Sequence, residues 1–460
     1  MPKRSSNEPI LRFPKGFLWG SATSSYQVEG GNTNNQWYKW EAEGGHIKDG
    51  SVCGRADDFY HLYEKDLDLA KELGHNTFRF SVEWSRIEPQ QGQWDRKEVE
   101  HYRDILKAMR KRELEPLVTL HHFTNPIWME SKGGWTEKSS VELFRRYTSY
   151  LAEELGDLVH IWAPINEPTA YASNSYMLNK YPPCESDFSK YQSVLRHMLL
   201  AHAEAYHAIH EAVGKNRTKS APKVGTVKDT EYFQAYDENS QKDRDEASFL
   251  HKVDNVPFME ALRTGKVNPP MGTGEFIDTV KGAWDFIGFN YYSRMLVSAL
   301  EREVLETDEH LTRNDSLGTS DRGFEIYPQG IYQIIKWLQN YHKPIYITEN
   351  GIATKDDNLR STYIVLHLEQ IYKAIKEGAE VRGYYYWSLM DDFEWDYGYS
   401  KKYGLAEVDY RSLTRTPRSS AFVYKDIITR NGIPREILEK YQKLAMSLRQ
   451  TQRWQNTFQR

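Results

Sequence analysis

Two glutamates close apolar, β-prone runs, and each is flanked by asparagine. Glu167 stands in Asn166-Glu167-Pro168 after His160-Ile161-Trp162-Ala163-Pro164-Ile165, and Glu349 in Glu349-Asn350-Gly351 after Pro344-Ile345-Tyr346-Ile347-Thr348. A carboxylate at a buried strand end is costly, because desolvation penalises its charged form. Two in one chain point to chemistry: an acid with a base, or an acid with a nucleophile. Cleavage of a glycosidic bond uses such a pair, one carboxylic acid protonating the leaving oxygen while the other carboxylate meets the anomeric carbon. They can act together only if the fold brings both to one place.

The elements that must position them are legible in the apolar pattern. Eight β-rich runs are expected: Phe17 to Thr23, Thr77 to Val82, Pro116 to His122, Ile161 to Asn166, Val224 to Val227, Phe286 to Tyr292, Pro344 to Thr348 and Val381 to Leu389. Most are nearly continuously apolar, the pattern of parallel strands covered on both faces. Helical periodicity fills the gaps at Asp66 to Leu73, Glu98 to Glu115, Ser140 to Leu155, Tyr191 to Val213, Gln329 to Tyr341 and Ser361 to Glu377. Gly74 and Gly378 stand where helix C-caps would, and Pro434 to Arg460 reads as a final helix with a frayed polar end.

Eight strand-then-helix units without a break in composition predict α/β architecture, a single (β/α)₈ barrel spanning residues 1–460 with a short N-terminal extension over 1–12. A doubly wound open sheet is the alternative. The barrel is favoured because the unusual polar residues gather at the C-terminal strand ends, the face where barrel enzymes build their sites. Long loops at Glu29 to Arg55 and Tyr292 to Phe324 would deepen a pocket there.

Composition narrows the function classes. The 460 residues carry 60 basic and 65 acidic side chains for a net charge of -5. The charges are intermixed, so neither a nucleic acid nor an anionic membrane is called for as partner. Cys53 and Cys184 are too few for a disulfide framework or zinc site, and fit two free thiols in a reducing compartment. The N-terminus has no apolar h-region and no run approaches a membrane span, so a soluble, cytoplasmic protein is expected. His197, His202, His207 and His210 share one helical stretch, but their spacings do not stack four ligands on one face, and no metal is expected.

Longer motifs add to the glutamates. Phe17-Leu18-Trp19-Gly20-Ser21-Ala22-Thr23 with Tyr26-Gln27-Val28-Glu29-Gly30, Arg79-Phe80-Ser81 with Trp84-Ser85-Arg86-Ile87, Asn166-Glu167-Pro168, Thr348-Glu349-Asn350-Gly351, Tyr386-Trp387-Ser388-Leu389, Phe393-Glu394-Trp395 and Gly398-Tyr399-Ser400 occur in order. Together they resemble glycoside hydrolase family 1, mostly retaining β-glycosidases on a (β/α)₈ barrel, among them β-glucosidases and β-galactosidases.

The resemblance implies a general acid/base at Glu167 and a nucleophile at Glu349. It implies that Arg79 and Tyr292 contact the nucleophile, and that Asn166 binds the sugar 2-hydroxyl. Gln27, His122, Glu394 and Trp395 fall at positions that hydrogen-bond the sugar's other hydroxyls, Trp387 at its stacking platform, with Asn290 and Tyr403 near the same shell. The implied substrate is a small β-glycoside, most readily a β-glucoside, with no cofactor. A β-galactosidase, a β-fucosidase or a transglycosylating member are the alternatives within the family. A non-catalytic sugar-binding barrel is the alternative outside it, disfavoured because both glutamates are present.

Three positions depart from the family pattern: Pro164 replaces a threonine, Phe123 a tryptophan and Tyr403 a frequent phenylalanine. Lys401 and Tyr403 resemble part of the phosphate set of the 6-phospho-β-glycosidases. Glu394, however, occupies the place of the phosphate-binding serine, and a carboxylate beside a phosphate dianion repels it.

Overall fold

Parallel strands covered on both faces should be buried along their whole length, and that is how the sheet is built. The structure, a computed structural model, describes residues 9–215, 221–299 and 311–458. Eight strands close into a barrel in chain order: β1 (Leu18–Ala22), β2 (Thr77–Ser81), β3 (Glu115–His121), β4 (Ile161–Ile165), β5 (Lys223–Asp229), β6 (Phe286–Asn290), β7 (Ile345–Asn350) and β8 (Val381–Trp387). Strands β2, β4, β6 and β7 are buried at every residue. All eight expected runs are present, and the open-sheet alternative is excluded because β8 pairs with β1.

The outer ring comprises α1 (Phe59–Glu72), α2 (Arg96–Lys111), α3 (Ser139–Leu155), α4 (Phe188–Lys215), α5 (Val256–Thr264), α6 (Pro328–Leu338), α7 (Asp357–Lys376) and α8 (Ser419–Arg430), followed by α9 (Arg435–Phe458). Their starts follow local chemistry. Asp95 caps α2 by accepting from the backbone N–H of Lys97 at 2.9 Å, and Asp356 caps α7 through Asn358 at 2.9 Å. Gly74 and Gly378 end α1 and α7 with φ of 84° and 95°, the left-handed turn expected there.

Helix α1 begins at Phe59, seven residues before the expected Asp66. Further helices went unpredicted, α5, Gln241–Leu250 and α8 among them. Gln241–Leu250 carries its charges in its first six positions and shows no apolar stripe, whereas α8 buries Ala421, Tyr424, Ile427 and Ile428 at helical spacing. The expected final helix is α9, and residues 459–460 of its tail lie outside the described residues.

The excursions that leave the barrel's C-terminal face build the rim of the site. Glu29 to Arg55 carries the helix Gln36–Glu43. The segments after β5 and β6 pair through Tyr232–Ala235 and Arg294–Val297, so two neighbouring rim loops are tied to each other. Part of the Tyr292 to Phe324 loop, residues 300–310, lies outside the described residues. Of the N-terminal extension, Pro9–Arg12 forms a strand against Gly432–Pro434, and residues 1–8 lie outside the described residues.

Candidate active site

Barrel closure puts the ends of β4 and β7 on one face, and both glutamates open into one cavity. At the end of β4, Asn166 bridges to Val227 on β5 and the Glu167 N–H donates to the Val227 carbonyl at 2.8 Å. Glu167 itself is left-handed, with φ 45° and ψ 61°. A non-glycine residue held there costs roughly 1–3 kcal/mol and is characteristic of functional positions. Pro168 follows as the first residue of the helix Pro168–Tyr176, where its fixed φ is favourable.

The two glutamates have different partners. Glu349 receives Arg79 Nη1 on Oε1 at 2.5 Å and the Tyr292 hydroxyl on Oε2 at 2.6 Å. Arg79, fully buried on β2, also donates from Nη2 to Asn166 Oδ1 at 2.7 Å and from Nε to Thr119 Oγ1 at 3.1 Å. Glu167 receives a single amide donor, Asn290 Nδ2, at 2.7 Å on Oε1. Thr348 fixes that amide by donating to Asn290 Oδ1 at 2.7 Å, which assigns oxygen and nitrogen of the side chain.

Charge follows the same division. Burial, then the neighbouring Glu349 and Asp229 carboxylates, push Glu167 well above the ordinary glutamate range, and the Asn290 bond opposes them. A carboxyl group so placed keeps its proton, as a general acid must. Tyr292 is likewise pushed up, by burial and then by Glu349, and stays a donor. Burial drives His122 well below the usual histidine value, and its neutral ring accepts from Asn166 Nδ2 at 3.3 Å.

The opposite wall comes from β8 and its loop. Trp387 stacks near His122 at 5.8 Å between centroids, and Trp395 lies 6.0 Å from the same ring. Gly351, after the β7 motif, permits this contact: a Cβ there would stand 1.9 Å from the Trp387 carbonyl oxygen. Glu394 also lines the cavity. Burial lifts it to about 7, against the opposing charge of Arg322.

Of the residues singled out in the sequence, His122, Asn166, Glu167, Asn290, Tyr292, Glu349, Trp387, Glu394 and Trp395 line the cavity. Arg79, Gln27 and Tyr403 stand one layer behind. Gln27 is fully buried and donates to the Phe393 carbonyl at 3.0 Å and to Glu394 Oε2 at 3.3 Å. Tyr403 packs 6.0 Å from the Tyr292 ring and hydrogen-bonds Arg322.

Among the lining residues not foreseen are Arg322, Tyr181, Asp229 and Glu231. A signal existed for the last two, since Lys228-Asp229-Thr230-Glu231 places charges at the C-terminal end of a barrel strand. Arg322 sits in Ser320-Asp321-Arg322-Gly323, which reads as an ordinary loop.

The site's architecture agrees with a comparison across the chain: a model of glycosyl hydrolase family 1 matches residues 10–433. The chain belongs to that family. Among solved structures, the β-glycosidase from Pyrococcus horikoshii is similar with a TM-score of 0.86 at 37% identity, covering 94% of this chain and 98% of that one. A 1,4-beta-D-glucan glucohydrolase from Thermotoga neapolitana is 31% identical, over 92% of this chain and 100% of the relative. A beta-galactosidase from Pyrococcus woesei is also 31% identical, over 93% and 99%. As a family 1 member the protein is a glycoside hydrolase.

Of the three departures from the family 1 pattern, Pro164 is buried inside β4, where it leaves the Glu167 turn intact. Phe123 lines the cavity with φ 69°, and Tyr403 lies behind it. The four histidines of α4 have four separate partners, at Trp135, Ala283, Thr279 and Asp285. Among the described residues, no cluster of three His, Cys, Asp or Glu could hold a metal ion, and no helix is long and apolar enough to cross a membrane.

The Asn290 bond gives a directional test. It lowers the Glu167 pKa, so Asn290→Ala should raise it further and move the basic limb of the kcat/KM profile to higher pH. A limb displaced to lower pH would contradict this assignment.

Proposed function

We propose that the protein is a retaining, exo-acting β-glycosidase that hydrolyses terminal β-D-glucosyl residues by double displacement. What carries this reading is the unequal partnering of the two carboxyl groups. Glu349 holds a guanidinium and a phenol hydroxyl, while Glu167 is buried with one neutral amide donor and keeps its proton. Retention requires one carboxyl of each kind, about 5 to 5.5 Å apart.

Glu349 attacks the anomeric carbon, and Glu167 gives its proton to the departing oxygen. A covalent α-glycosyl ester forms on Glu349. Glu167, now ionised, takes a proton from water, which attacks the same carbon and returns the β-configured sugar. Asn166, oriented by Arg79, is placed to bind the 2-hydroxyl, a contact that strengthens in the oxocarbenium-like transition state. Trp387 provides the stacking face, and Glu394 and Trp395 close the end of the sugar site, with Gln27 and Tyr403 holding that end from behind. No cofactor takes part.

The whole chain serves as one catalytic unit in this reading, working on a small β-glycoside in the cytoplasm, where its two free thiols, Cys53 and Cys184, would persist. Two measurements test it. Proton NMR of the first-formed sugar should show the β-anomer; an initial α-anomer would rule out retention. A panel of aryl β-glucoside, galactoside, fucoside, mannoside and 6-phosphoglucoside should give the highest kcat/KM for the glucoside. A clear maximum on another glycone would replace glucose in the assignment.

A further inference from the structure

Arg322 belongs to no motif, yet it reaches the end of the cavity where Glu394 waits. Its Nη1 donates to Glu394 Oε1 at 2.8 Å. The guanidinium carbon lies 4.7 Å from the Tyr397 ring and 4.9 Å from the Phe324 ring, so aromatic faces grip it from two directions. Its Nε is sealed from solvent with no acceptor. A donor left unpaired in a buried site needs an explanation, and function is one.

The backbone that carries Arg322 is fixed on both sides. The Asp321 N–H donates to the Ala353 carbonyl after β7 at 2.8 Å, and Lys401 Nζ after β8 donates to the Asp321 carbonyl. Three residues on, Glu325 is bound by the fully buried Arg294 at 2.6 Å, and its other oxygen accepts the Arg313 N–H at 2.6 Å. The loops after β6, β7 and β8 therefore hold this arginine in place before any substrate arrives.

We infer that Arg322 is a specificity-determining residue of the sugar site, which with Glu394 forms the wall that reads the C6 hydroxyl of the glycone. The inference rests on the β-glucosidase reading. A pyranose seated with C1 between Glu167 and Glu349 and its 2-hydroxyl at Asn166 turns its C5 hydroxymethyl toward this wall.

Glu394 receives Arg322 on one oxygen and the longer 3.3 Å bond from Gln27 on the other, so each oxygen keeps a lone pair for a sugar hydroxyl. Without the guanidinium, burial and the nearby Asp396 and Glu349 charges would favour the protonated acid. A protonated acid presents a donor where the sugar needs an acceptor. Arg322 thus sets the polarity of the wall as well as its shape.

A role confined to anchoring the loop makes a different forecast, and a pair of glycones separates the two. Aryl β-glucoside and aryl β-xyloside with the same leaving group differ only in the hydroxymethyl at C5. Arg322→Met keeps the length and apolar stacking of the side chain. It should lower kcat/KM on the glucoside roughly 10- to 100-fold, the scale of a lost charge-assisted hydrogen bond, and on the xyloside less than about threefold. Arg322→Lys, which keeps the charge and loses the fork, should recover part of the glucoside rate.

If Arg322→Met fails to fold by thermal melt, the same ratio is read from Arg322→Lys. If the wild type turns over no xyloside, it is read from inhibition by iminosugars with and without the hydroxymethyl group. Equal losses on both glycones, or none on either, would overturn the inference while leaving the β-glucosidase reading in place. A wild type that cleaves no β-glucoside would remove both.

Discussion

Glu349→Gly is expected to lower kcat on aryl β-glucosides by roughly 10⁵- to 10⁶-fold, the scale on which loss of a covalent nucleophile acts. The remaining site still binds the sugar and protonates the leaving group, but nothing is placed to attack the anomeric carbon. Sodium azide should restore part of the rate by entering the space the carboxylate leaves. Because it attacks from the nucleophile's face, the product should be the α-glycosyl azide. Stability should fall as well. Arg79 is fully buried and Glu349 is its ion-pair partner, so removing the carboxylate leaves an uncompensated guanidinium at a cost of about 3 kcal/mol or more. The melting temperature reports this loss, and azide or another small anion should recover some of it. Full activity in the variant, or a β-configured azide product, would remove Glu349 as the nucleophile.

Much of this arrangement was legible in the sequence, for reasons particular to the residues involved. Buried parallel strands need apolar side chains on both faces, so β4 and β7 stand out as runs that end abruptly in Asn-Glu and Glu-Asn. Counting strands then placed both glutamates on one face. Helices were harder. Gln241–Leu250 faces solvent over most of its surface and carries no stripe, while α8 holds a regular one behind the Arg-rich stretch that precedes it.

At the site, side chains on strand ends were foreseen because the strand fixes where they point. Arg322 could not be, because its position depends on hydrogen bonds to loops after β7 and β8 that no local pattern encodes. Gln27 shows the converse limit. Its place near the sugar site was implied by the resemblance, but only the fold shows that it supports Glu394 from behind.

Glu167→Ala should separate substrates by their leaving groups. Phenols that depart without protonation need little help in the first step, so their kcat/KM should fall by about tenfold or less. Alkyl glycosides and disaccharides need the proton, and should lose roughly 10³-fold or more. The second step also loses its base, so the glycosyl-enzyme should accumulate with activated substrates. Azide, which needs no base, should discharge it as the β-glycosyl azide, the opposite anomer from the Glu349→Gly product. Equal losses on both substrate classes would argue against the acid role.

The pH dependence has a fixed sign. Burial and the Glu349 and Asp229 charges raise Glu167 in the folded protein, so the acid is present at low and neutral pH and lost as pH rises through that raised value. The basic limb of the wild-type kcat/KM profile should therefore vanish in Glu167→Ala. The same shift acts on stability. Between the unfolded and folded pKa values the native state binds more protons, so this residue's contribution is present at low pH and declines as pH rises. Glu167→Gln, which cannot ionise, should gain stability relative to wild type across that window. A stability difference that does not change with pH would mean that the raised carboxyl is not the group behind the limb.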